Sequence, residues 1–242
     1  MVNRLARVIV AVDDLEQATL DHERLLGRGV SDPARALFAL RNTTLQLVLR
    51  ETFEAEVAPL EGPGVAALVF EDDGRDEDEW MSLDATRGIP VALVPGESDE
   101  EEELPPAPPI AKPDASVAAL DHVVVSTTDL VAARKLYGET LGLRLALDRV
   151  FEKRGIQILF FRTGGLTVEV VGPLGDGRES DRDRFGGLAW EVADVAAMRE
   201  RLLGDGFEVS EERPGHKPGT RVCTVKSRTH GVPTLLKGPD LG

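Results

Sequence analysis

The sequence predicts an α+β protein of two tandem βαβββ-type domains, the second complete and the first incomplete. Three observations carry that prediction. A strand–helix unit occurs twice, as DLEQATLDHERLLG at 14–27 and DLVAARKLYGETLG at 129–142. Both copies open Asp-Leu, carry Ala at the fifth place and close Leu-Gly, and a β-branched run precedes each (Val8 to Val12 and Val123 to Val125). Repeated units of this kind imply a duplicated fold. Between the copies, residues 95–117 are acidic and proline-rich, a composition that builds no core and reads as a linker. After each helix come short apolar runs bounded by glycine and proline, the punctuation of strands.

The elements follow in order. In the first half the pattern gives a strand at 5–12, a helix at 14–26, and short strands at 36–40 and 44–49. A second unit has a strand at 65–70, a helix at 76–87 and a strand at 89–94, where the linker begins in place of two further strands. The second half opens with a strand at 119–126. A helix at 129–141 presents Leu130, Ala133, Leu136, Tyr137 and Leu141 on one face and stops at Gly142. Strands at 144–149, 156–162 and 166–171 complete that module. The next module reads as strand 188–192, a helix at 195–203 capped by Asp194, and strands at 207–211, 221–226 and 233–237. The domain bounds are therefore 1–94, 95–117 for the linker, and 118–242.

Composition excludes several classes of function. The 242 residues carry a net charge of −15. All of that excess lies in residues 1–115, with 10 Lys+Arg against 25 Asp+Glu, while the remainder is neutral. Such a surface repels phosphate backbones, so no nucleic-acid partner is expected. No apolar run approaches the ~20 residues that cross a bilayer, and the N-terminus runs straight into a strand pattern, so no membrane partner is expected either. A single cysteine, Cys223, suits a reducing compartment, and the expected location is cytoplasmic. Phosphate-loop, dinucleotide, serine-hydrolase and zinc-protease motifs are all missing.

The segments LDHVVVSTTDLVAARKLYGETLGL at 120–143, LTVEVVGP at 166–173 and GLAWEVADVAAMRERLLGDGFEV at 187–209 resemble the vicinal oxygen chelate superfamily. That superfamily includes glyoxalase I, extradiol dioxygenases, fosfomycin-resistance enzymes and bleomycin-binding proteins. The resemblance implies glyoxalase-like domains whose curved sheets enclose a cavity, often with a divalent metal held by one residue on the first and one on the last strand of each module. Those places fall on His122, Glu169, Gly187 and Leu235. Strand parity agrees for the first two, since His122, Val124 and Ser126 share one face, as do Thr167, Glu169 and Val171. An imidazole and a carboxylate suit Zn, Fe, Mn or Ni. Gly187 and Leu235 bring no donor atom, and a catalytic ion normally needs three ligands. The same places in the first half are Arg7, Gln46 and Val65, so that half should be metal-free.

The expected function is a small-molecule-binding protein with an incomplete metal site, its ligand near His122, Glu169, Gly187, Leu235 and Glu191. Glycine and leucine at two ligand places favour an apolar or aromatic ligand with one or two hydrogen-bonding groups. Two alternatives stay open: a metal-dependent lyase, isomerase or ring-cleaving dioxygenase using His122 and Glu169, and a structural module that pairs into a homodimer. A bound divalent ion and none at all remain equal readings. Among the other reactive side chains, His230 is expected at an exposed turn, His216 in a loop, His22 on a helix face, and Cys223 as a small buried hydrophobe.

Overall fold

A computed structural model describes residues 2–96, 107, 109–175 and 182–242. The acidic run at 99–103 lies outside the described residues. In chain order the elements are β1 (Val2–Val12), α1 (Leu15–Leu26), β2 (Leu37–Ala39), β3 (Thr44–Leu49), α2 (Arg50–Glu56), β4 (Gly64–Asp72), β5 (Glu79–Trp80) and β6 (Val91–Val94). The second half follows with β7 (Val117–Ser126), α3 (Leu130–Arg134), β8 (Arg144–Phe151), β9 (Ile156–Thr163), β10 (Leu166–Pro173) and β11 (Arg184–Val192). It ends with α4 (Val195–Gly204), β12 (Arg213–Pro214), β13 (Thr220–Val225) and β14 (Thr234–Pro239). The strands make one six-stranded and one eight-stranded sheet, which is the α+β pattern of βαβββ-like modules.

Three aspartates start the main helices. Asp14 accepts from the Gln17 N–H, Asp129 from Val131 and Ala132, and Asp194 from Ala196 and Ala197. Each occupies a donor that a helix N-terminus otherwise leaves unpaired. Gly27 ends α1 in the left-handed conformation at φ +70°. The second copy departs from the first: past Arg134 the helix widens to π geometry over Lys135–Thr140, with Leu136 and Tyr137 buried.

Two expectations are corrected. Residues 76–87 are not a helix. Glu79–Trp80 pair antiparallel with β6, and turns follow to Arg87 and Gly88, both at positive φ. The segment has four acidic residues in succession and too few apolar side chains to bury a helical stripe. The strand at 207–211 contracts to a bridge between Val209 and Val225. There the Ser210 hydroxyl accepts the Thr224 N–H, and Arg199 takes the Ser210 carbonyl, so side chains interrupt the ladder. Helix α2 is an element beyond those expected from the sequence pattern.

Residue packing divides the described chain into two compact units. The first joins Met1–Val8, Ala66–Glu101 and His122–Gly186; the second joins Ile9–Val65, Glu102–Asp121 and Gly187–Gly242. In the first unit β10 pairs parallel with β7 and antiparallel with β9, and β8 pairs with β9 across a bulge between Leu145 and Leu147. Val123, Val125, Leu159, Phe161, Val168 and Val170 are buried on one side of these strands. Tyr137 packs there, its ring centroid 5.6 Å from that of Phe161. In the second unit β14 pairs parallel with β11 and antiparallel with β13. Arg201 of α4 reaches the Arg24 and Leu25 carbonyls at the end of α1 and the Ala115 carbonyl. One guanidinium thereby satisfies carbonyls that a helix C-terminus leaves open.

Candidate functional site

Strand register in the first unit places side chains in cross-strand rows. His122 on β7 lies beside Thr167 on β10, Thr167 beside Arg162 on β9, and Arg162 beside Arg144 on β8. The next row is Val124, Glu169, Phe160 and Leu147, and the one after it Ser126, Val171, Ile158 and Arg149. Because side chains alternate across a strand, all of these face away from the buried valines at 123, 125, 168 and 170. The rows are half-buried or exposed, apart from Thr167.

His122 and Glu169 thus lie on one face of these strands. The His122 Nδ1 atom stands 3.6 Å from Glu169 Oε1, and the two side chains are 12% and 20% exposed. That separation exceeds a hydrogen bond and is one that a single ligand oxygen can bridge. Arg162 donates to Thr167 Oγ1 at 2.8 Å, which draws its guanidinium along the face toward His122. Gly186, at the start of β11, lies against the same face. A Cβ there would stand 2.8 Å from Val124 Cγ1 and 3.5 Å from Ser126 Oγ.

The other residues singled out from sequence belong to the second unit. Gly187 adopts φ +129°, and a Cβ there would meet the Pro233 carbonyl oxygen at 2.3 Å. No side chain fits that position. Leu235 lies half-buried on β14 between Ala189 and Thr224. Glu191 is held by Arg41 at 2.8 Å and neighbours Lys237, which bonds both carboxylate oxygens of Asp121 at 2.8 Å. Cys223 is buried with its thiol pushed up to about 11, first by desolvation and then by Glu212, so it is a protonated core group at neutral pH.

The second unit also holds a polar cluster that the sequence reading dispersed. His230 does lie in a turn but is half-buried rather than exposed: its Nε2 lies 3.1 Å from Asp21 Oδ2, with the side chain 17% exposed. Arg228 Nη1 stands 4.0 Å from Asp21 Oδ1. His22 is buried, its ring centroid 5.7 Å from that of His230 and 6.3 Å from that of Phe38, and its Nδ1 is 2.8 Å from the Ala18 carbonyl. Burial pulls its imidazole down to about 4, so it is neutral at pH 7. Arg228 and His230 both have positive φ, a conformation that the contacts to Asp21 help to hold.

The metal implied by the resemblance meets a short donor set. His122 and Glu169 can each offer one atom, and among the described residues no group of three His, Cys, Asp or Glu side chains is placed to hold an ion. The described residues do not fit a catalytic divalent site. Sequence reasoning missed Thr167, Arg162, Arg144 and Phe160; their only signal was alternation along β9 and β10, which needs the register before it names neighbours.

Residues 121–224 match the family model for the Glyoxalase/Bleomycin resistance protein/Dioxygenase superfamily. A curated relative, ethylmalonyl-CoA/methylmalonyl-CoA epimerase of Cereibacter sphaeroides, is 29% identical over 100 residues, 38% of this chain and 75% of that protein. Among solved structures, methylmalonyl-CoA epimerase from Mycobacterium tuberculosis is 24% identical with a TM-score of 0.43, covering 51% of this chain and 89% of that one. A variant of the Streptomyces coelicolor methylmalonyl-CoA epimerase in complex with 2-nitronate-propionyl-CoA is 22% identical with a TM-score of 0.42, covering 51% and 99%. Over residues 121–224, the second half of the chain is therefore similar to the glyoxalase/bleomycin resistance protein/dioxygenase superfamily.

Proposed function

We propose that the protein binds a small apolar or aromatic molecule on the face formed by β7, β10, β9 and β8. One observation carries this reading. The face sets a half-buried His/Glu pair beside half-buried Phe160, Ile158 and Val171, while the opposite side of the same strands is packed as core. Apolar lining with a few convergent polar groups is the usual composition of a ligand site. Naphthamide, a neutral aromatic amide, is a suitable probe for calorimetric titration. Saturable binding is expected, weakened at least several-fold in Phe160→Ser and in His122→Ala, both checked for folding by their melting curves. Failure of naphthamide to saturate, or equal binding to Phe160→Ser, would overturn the reading.

A second reading, a proton-transferring isomerase, has its own support. Glu169 is a carboxylate beside an imidazole in a partly desolvated setting, the arrangement of a general base with a polar neighbour. The Cereibacter sphaeroides relative is named an epimerase. On this reading Glu169 accepts a proton from a carbon next to a thioester carbonyl. Incubation with methylmalonyl-CoA in deuterium oxide is then expected to exchange that proton, with the exchange lost in Glu169→Gln. Equal exchange by Glu169→Gln would exclude Glu169 as the base.

A further inference from the structure

The first row of the proposed ligand face carries an electrostatic mismatch. Arg162 and Arg144 are direct cross-strand neighbours, and both are exposed. Like charges placed opposite each other on adjacent strands are destabilising. Acidic residues outnumber basic ones 43 to 28, and most arginines nearby are paired: Arg134 with Asp148, Arg87 with Asp183, Arg4 with Glu71. Yet among the described residues no carboxylate pairs with Arg144 or Arg162. Among the described residues the only polar partner of Arg162 is Thr167 Oγ1, which leaves the rest of its fork of donors open. Glu169, one row further on, is occupied with His122 at 3.6 Å.

We propose that Arg162 and Arg144 form an anion subsite, so that the ligand of this face is an aromatic or apolar molecule bearing a carboxylate or phosphate. The inference rests on the small-molecule-binding reading and names its ligand class. The anion lies across the two guanidiniums at the His122 end of the strands. The apolar body runs along the adjoining rows over Phe160, Leu147 and Ile158. Seating an anion there relieves the repulsion between the arginines and adds charge-assisted hydrogen bonds. Glu169 sits beyond the anion, beside the ligand's body, where it can accept from a hydroxyl or amide and would repel a second acidic group.

Three probes separate the terms: naphthamide, naphthoate and naphthyl phosphate, which share a ring system and differ in charge. Naphthoate or naphthyl phosphate is expected to bind about tenfold more tightly than naphthamide, and the stronger of the two identifies the anion. Arg162→Gln is expected to erase that preference, and added salt should weaken only the anions. Arg144→Gln should act in the same direction. If all three probes bind alike, or if Arg162→Gln preserves the preference, the anion subsite is wrong and the small-molecule reading stands. If none of them binds, both fall together.

Discussion

Replacing Gly187 by histidine is expected to destabilise the protein by about 4 kcal/mol and to create no metal site. The substitution is the one that the family resemblance invites, since a histidine at this place would complete a third donor. Geometry forbids it. At φ +129° the backbone is in a region that only glycine adopts without strain, a cost of about 1–3 kcal/mol for any other residue. The new Cβ would stand 2.3 Å from the Pro233 oxygen and 2.8 Å from the Pro233 Cβ, both parts of a rigid residue. That oxygen accepts the Leu188 N–H at 2.9 Å, so pushing it away also breaks the bond that begins the pairing of β11 with β14. Gly187→Ala should show most of the loss, because the clash starts at Cβ. Gly186→Ala is the internal comparison: it lacks the strained φ and meets only side-chain atoms, of Val124 at 2.8 Å and of Ser126 at 3.5 Å. Urea unfolding of the three variants checks the order. A Gly187→Ala protein within about 0.5 kcal/mol of the parent would show that Pro233 yields freely.

This glycine marks the boundary of what the amino-acid sequence could say. Strand and helix identities were legible wherever local chemistry decided them. Asp14, Asp129 and Asp194 announce helix starts, Gly27 and Gly142 announce stops, and the β-branched runs at 8–12 and 123–125 can only be strands. His122 and Glu169 were legible because period two fixes the face of each strand without knowledge of its partner. The acidic segment at 76–87 was misread because four consecutive carboxylates resemble a charged first turn, and only the pairing of Glu79 and Trp80 with β6 overrules that. Arg162 and Arg144 stayed invisible because adjacency across strands depends on register, which the bulge after Leu145 shifts. Asp21 and His230 are 209 residues apart, and no local pattern joins them. The lack of room at Gly187 comes from Pro233, on another strand's approach.

The buried His22 should make the protein acid-labile, with about 3 kcal/mol of stability lost between pH 6.5 and 4. The sign follows from linkage. In the unfolded chain the imidazole takes a proton near its ordinary 6.5; in the folded chain it resists until about 4. Between those values the unfolded state binds the extra proton, so stability is full above pH 6.5, falls as the pH drops, and levels off below 4. Desolvation is the leading cause, and the charge of His230, whose ring centroid lies 5.7 Å away, adds to it. Phe38, whose ring centroid lies 6.3 Å from that of His22, offers no compensating charge. The Ala18 carbonyl and Asp21 oppose the shift without cancelling it. His22→Phe keeps an aromatic ring at the place that Tyr137 fills in the second copy, and removes the titration. Its urea midpoint should therefore depend less on pH than that of the parent, the two curves diverging only below pH 6.5. Asp183, whose carboxyl burial raises its pKa, has the opposite sign, gaining stability in acid, but it is common to both proteins and drops out of the difference. Parallel curves for parent and variant would assign the acid response to the carboxylates and leave His22 as a simple packing residue. A divergence would assign the acid response to His22, the imidazole that burial holds neutral against the ring of His230.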